Sequence, residues 1–92
     1  MTYILDTDQL SLLQRGHPPL LQHIAVIPSE QIAITVVSAE EMLRGRLAQV
    51  SRAKTAVQRV SAYYWFQETL SFLSEFPLLP YDTVSDAIFM DL

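Results

Sequence analysis

The sequence predicts an α/β fold with a mainly parallel sheet, and two observations carry that expectation. Short apolar runs of β-forming residues alternate along the chain with longer runs whose apolar residues recur every three or four positions. The clearest short run, 32–37 (Ile-Ala-Ile-Thr-Val-Val), is almost wholly apolar rather than alternating, as in a strand buried on both faces of a parallel sheet. The expected order is βααβαααβα, with strands near 2–6, 32–37 and 78–80 and helices on both faces of the sheet.

Thr2-Tyr3-Ile4-Leu5 forms the first strand, ended abruptly by Asp6. Thr7 and Asp8 are good N-caps for a helix over about 8–15, which Gly16 stops. Pro18 and Pro19 fit the first turn of a second helix, whose apolar positions are Leu20, Leu21, Ile24, Ala25 and Ile27, and Pro28 ends it. After 32–37, Ser38 opens a helix to about Gln49, with Glu41 three residues on completing a Ser-x-x-Glu capping box. Gly45 within that helix costs about 1 kcal/mol relative to Ala, so packing or function should account for it. From Ser51 to Phe76 the spacing is helical throughout, with a break expected near Tyr63–Phe66. Leu78-Leu79, between Pro77 and Pro80, makes a third short strand. Asp82 or Thr83 caps a last helix carrying Val84, Ala87, Ile88 and Leu92.

The chain's 92 residues point to a single domain, 1–92. Half of them are hydrophobic, which is apolar for so small a domain and implies either an apolar face that a partner covers or an absent part. Cysteine is absent, which excludes a disulfide framework and a Cys-based zinc site. His17 and His23, six apart, do not have metal-ligand spacing on a helix. The start lacks a basic segment of the secretory kind and no apolar run approaches the ~20 residues of a membrane span, so the expectation is a cytoplasmic protein without a membrane partner.

The net charge of −4 argues against general nucleic-acid binding, but the charge is unevenly distributed. Arg44, Arg46, Arg52, Lys54 and Arg59 fall within 42–67, a span without an acid, so it carries +5 and the rest of the chain about −9. Such a stretch is either a solvated helix face or a surface for phosphates.

In a parallel α/β sheet, ligands bind beyond the carboxyl ends of the strands. Asp6 ends the first strand, and Glu41 falls in the first turn of the helix after the second. If those strands are neighbours, both carboxylates overlook one edge, where a hard cation such as Mg²⁺ or Mn²⁺ relieves their repulsion. The residues alone leave two readings of each acid, a helix cap or a metal ligand.

The opening Tyr-Ile-Leu-Asp-Thr-Asp (3–8) resembles that of PIN-domain nucleases of the VapC toxin type, an apolar strand followed by Asp-Thr-Asp or Asp-Thr-Asn. The segment Ile-Thr-Val-Val-Ser-Ala-Glu-Glu-Met-Leu-Arg-Gly (34–45) is similar to the family's second motif, in which a Glu is followed four residues later by Gly; that register selects Glu41 over Glu40. Leu-Pro-Tyr-Asp (79–82) resembles the third strand and the cap of the next helix. The resemblance implies a PIN-like three-layer α/β/α domain and a metal-dependent endoribonuclease. Asp6 and Glu41 are then the catalytic metal-binding residues for Mg²⁺ or Mn²⁺, and the phosphodiester is hydrolysed by an activated water. Thr7 would hydrogen-bond the site or simply pack, and Asp8 would cap the helix or stand outside the metal's ligands. The implied partners are an RNA substrate flanked by the basic stretch, a cognate antitoxin and a second copy in a homodimer.

The family continues with a third acidic position at the start of a further helix, for which Asp86 and Asp91 cannot stand in. The expectation is therefore a domain incomplete at its C-terminal end and of little activity at this length. The alternatives are a non-catalytic remnant that binds antitoxin or dimerises, and a helical interaction module whose resemblance is accidental.

Overall fold

The computed structural model describes residues 2–83 and 87. Three strands form one sheet in the order β1-β2-β3: β1 is Tyr3–Leu5, β2 Ile32–Thr35 and β3 Leu78–Leu79. Both pairings are parallel, with Leu5 opposite Ile34 and Thr35 opposite Leu79. Helices α1 (Thr7–Gln14) and α2 (Pro18–Ala25) connect the first two strands; α3 (Val36–Arg52) and α4 (Ala56–Leu73) connect the second to the third. The mixed α/β class and the parallel sheet are as the sequence predicts. The last helix expected from Val84 to Leu92 lies outside the described residues apart from Ala87.

The central strand is the most deeply placed. Ile32, Ala33 and Ile34 are all buried, and because successive strand residues point to opposite faces, both faces of β2 are covered. Leu5, Leu10, Ile32, Ile34, Met42 and Leu73 form the core, joining the sheet to α1, α3 and α4. Tyr3 and Ile4 on β1 and Leu78 on β3 remain exposed.

Local chemistry sets the helix ends, and in three places it corrects the sequence reading. Asp6, not Thr7 or Asp8, caps α1: its carboxylate accepts from the Gln9 N–H at 2.8 Å, and the Gln9 side chain accepts from the Asp6 N–H at 3.0 Å. At the other end, Gly16 at φ +74° lets its own N–H reach the Leu13 carbonyl and the His17 N–H reach that of Leu12, the Schellman closure.

The second correction concerns the start of α3. The strand ends at Thr35, whose hydroxyl accepts from the Ser38 N–H at 3.1 Å, so Val36 and Val37 belong to the helix. Ser38 is inside the helix, the Ser38–Glu41 box is not the cap, and Glu41 sits in the second turn rather than the first. Third, α3 runs on to Arg52, and the break falls at residues 53–55 rather than Tyr63–Phe66. The Thr55 hydroxyl accepts from the Gln58 N–H at 3.1 Å and the Gln58 side chain accepts from the Lys54 N–H at 2.8 Å, which starts α4 as one unbroken helix. Two helices, not three, therefore lie between β2 and β3.

Candidate functional site

The parallel pairing of β1 with β2 brings the carboxyl ends of both strands to one edge of the sheet. Asp6 follows β1 immediately and Thr7 opens α1. One and a half turns into α3, Glu41 meets Thr7: the Thr7 hydroxyl donates to Glu41 Oε2 at 2.9 Å, across 34 residues of sequence. The two sequence motifs thus converge at the edge where α/β folds bind ligands. Asp6 is exposed and held by its capping bonds, with Oδ1 turned to the Gln9 N–H.

The adjacent Glu40 goes elsewhere. It pairs with Arg44 at 2.9 Å in an exposed i, i+4 bridge and borders a different, larger hollow of about 890 Å³. Val36, Val37, Leu43, Leu47, Leu78 and Tyr81 make that hollow apolar, and its two charged side chains neutralise each other.

Glu41 and Thr7 instead border an open hollow of about 570 Å³ between α1 and α3. Ser11 on α1 and Arg15 at its C-cap continue the wall, at i+4 and i+8 from Thr7, and Gly45, Gln49 and Arg52 continue it on α3, at i+4, i+8 and i+11 from Glu41. Gly45 has no packing reason to be glycine, since a Cβ there would meet nothing within 4 Å. It keeps the space one turn beyond Glu41 open.

Arg46 lines the same hollow and is held from three sides. Its guanidinium donates to Thr69 Oγ1 at 3.0 Å, to Gln14 Oε1 at 2.9 Å and to Gln49 Oε1 at 3.3 Å, and it lies 5.4 Å from the centre of the Trp65 ring. Thr69, fully buried, also accepts from Gln14 Nε2 at 3.0 Å and donates to the Trp65 carbonyl at 2.8 Å. All these partners are neutral, and Arg44–Glu40 is the only ion pair among the described residues. The positive charge of Arg46 is therefore neutralised by no carboxylate among the described residues.

The basic stretch accordingly divides. Arg46 and Arg52 border the hollow beside Glu41, whereas Arg44 borders the apolar one. Sequence reasoning missed Arg15, which stands outside the stretch; its spacing of eight from Thr7 was the available signal, because it places both on one face of α1. His23 is exposed and His17 precedes α2 with no side-chain capping bond.

Beside Glu41 stands the Thr7 hydroxyl, and Asp6 is the next residue along the chain; oxygen donors of this kind suit Mg²⁺ or Mn²⁺ better than softer ions. Among the described residues, no three His, Cys, Asp or Glu side chains gather into a metal-binding group. Nor is any helix among them long and apolar enough to cross a membrane. No protein-family model, curated protein or solved structure matches the chain.

Proposed function

We propose that this chain carries part of the active site of a metal-dependent endoribonuclease of the PIN type. The observation that supports the reading best is the Thr7–Glu41 hydrogen bond, which joins the Asp-Thr-Asp and Glu-x-x-x-Gly motifs at the carboxyl edge of a parallel sheet. Asp6 and Glu41 are the catalytic pair. Each has a carboxylate oxygen not used in its helix-capping or Thr7 bond, and those oxygens are the ones offered to Mg²⁺ or Mn²⁺. Thr7 fixes the rotamer of Glu41, and the reciprocal Asp6–Gln9 bonds fix that of Asp6. A bound divalent ion supplies stabilisation of the charge that develops on the phosphoryl oxygens during hydrolysis.

Two carboxylates leave most of the positions around the cation to water, so affinity is low and cleavage by these 92 residues slow. Manganese calorimetry at millimolar metal, paired with an RNA cleavage assay with and without EDTA, tests the reading. Asp6→Asn and Glu41→Gln each abolish metal binding and any cleavage, and Glu40→Gln changes neither. Manganese binding that survives both substitutions would overturn the assignment. Fast, EDTA-sensitive cleavage by this chain would mean that a third ligand comes from elsewhere, a partner subunit among the sources.

The second reading is a module that binds its antitoxin or a second copy without cutting RNA. It is favoured by the exposed apolar face of α4, where Val57 (80% exposed), Val60 (72%) and Tyr64 border a shallow hollow of about 510 Å³. The same face serves a catalytic homodimer equally well.

A further inference from the structure

We propose that the hollow between α1 and α3 is a track for single-stranded RNA, in which Arg15, Arg46 and Arg52 take the phosphates, and that Trp65, in the adjoining hollow, receives an unpaired base. The inference rests on the nuclease reading for its direction, with the scissile bond at the Glu41 end, but the groove is argued from its own chemistry. From Glu41 to Arg52 the wall of α3 is about 16 Å long at 1.5 Å per residue, enough for more than one nucleotide. Among the described residues, three arginines border this hollow against the single carboxylate of Glu41, and none of the three is in an ion pair. In a chain of net charge −4 this is a local excess of positive charge.

A second hollow of about 570 Å³ adjoins the first, and Gln49 and Arg52 border both. Trp65, 42% exposed, lines this second space while its ring also meets the Arg46 guanidinium. Cationic groups following a backbone, with an aromatic ring at the side, are the arrangement that binds single strands, because every base can stack and the phosphates repeat. A duplex keeps its bases stacked on one another and offers none to Trp65. Gly45 belongs to the same design, since it leaves the floor open between Glu41 and Arg52.

Trp65 is the only tryptophan in the chain, so tryptophan fluorescence reports on the second hollow, where the base is proposed to stack. The experiment titrates the 92-residue protein with a short single-stranded RNA in EDTA, where metal-dependent cleavage cannot proceed. Trp65 emission should be quenched to saturation, and affinity should fall with salt at a log–log slope of about −2, as three phosphate contacts on a single strand require. Arg15→Ala and Arg52→Ala, both exposed and remote from the core, should each lower that slope by about 0.7. Arg44→Ala, on the other hollow, should leave it unchanged. Trp65→Leu, read by anisotropy of a labelled strand, should weaken binding about fivefold or more, with circular dichroism verifying the fold. Absence of quenching at low salt, equal slopes in all the arginine variants, or equal affinity for a duplex would each overturn the proposal. Quenching with the expected slopes but no cleavage on adding Mn²⁺ upholds the groove and counts against the nuclease reading. Cleavage without quenching does the reverse.

Discussion

The Thr7 hydroxyl donates to Glu41 Oε2 at 2.9 Å and so ties the first turn of α1 to the second turn of α3. Asp6, the residue before Thr7, is fixed by its own capping bonds, which makes Thr7 the element that holds the two acids in a constant relation. Thr7→Val keeps the shape and removes the donor. Both groups are partly or fully exposed, so stability should change by no more than about 1 kcal/mol. Metal affinity should fall about tenfold or more, as it does when the partner that orients a ligand is removed. Thr7→Ser should restore most of it. Manganese calorimetry beside a thermal melt checks this: equal affinities in Val and Ser variants would show that Thr7 only packs.

Thr69 is the buried hub of a polar network in which Gln14 and Arg46 donate to its hydroxyl and the hydroxyl donates to the Trp65 carbonyl. Thr69→Val leaves two donors without that acceptor inside a fully buried position and should destabilise the domain by about 1–3 kcal/mol. Thr69→Ser keeps the hydroxyl and loses one methyl, about 0.8 kcal/mol. Urea unfolding midpoints of the two variants should therefore separate, with Val the lower. The Val variant should also bind RNA more weakly, because Arg46 loses the contact that aims it.

The elements were legible where one interaction decides them. Ile32, Ala33 and Ile34 could be assigned to a buried central strand because an apolar, β-branched run has few other uses. Pro18 and Pro19 fix the start of α2, and Gly16 the end of α1, by backbone conformation alone. Val36 and Val37 continue the β-branched run, and only the Thr35 hydroxyl, by capping, turns them into helix. The break at 53–55 carries no Gly or Pro and depends on the paired Thr55 and Gln58 bonds, a signal easily lost in a helical pattern. Asp6 and Glu41 were singled out from the sequence, but their link through Thr7 spans 34 residues and is set by the parallel pairing of β1 and β2. Arg15 was missed for the same reason: it joins Arg46 and Arg52 only once α1 lies against α3.

The apolar face of α4 sets a prediction about association. Val57 and Val60 lie three apart, and Tyr64 follows four residues later, so all three share one stripe. Between Val57 and Tyr64 the one charged residue is Arg59, about 200° around the helix from Val57 and so off the stripe. A protein exposing such a stripe should self-associate at micromolar concentration in sedimentation experiments. Val60→Lys puts a charge in the middle of the stripe and should shift the sample to monomer without loss of helicity, since position 60 is 72% exposed. A wild-type protein that sediments as a clean monomer would remove the dimer from the proposed function.

Gly45 offers a test in which stability and binding move in opposite directions. It sits in the middle of α3, where glycine is disfavoured relative to alanine by about 1 kcal/mol, and its φ is not positive. A Cβ there would meet no atom within 4 Å, so Gly45→Ala gains helix propensity without a clash. The variant should be more stable by about 0.5–1 kcal/mol in urea unfolding. The added methyl nevertheless enters the floor of the hollow between Glu41 and Arg52, where the RNA backbone is proposed to lie. Affinity for a single strand should drop, and Gly45→Leu, with a longer side chain in the same place, should lower it further while remaining folded. A binding series that falls from Gly to Ala to Leu as stability rises or holds identifies Gly45 as a residue kept for the ligand. If all three bind alike, the hollow is not the track, and the glycine has no role that the fold or the ligand requires.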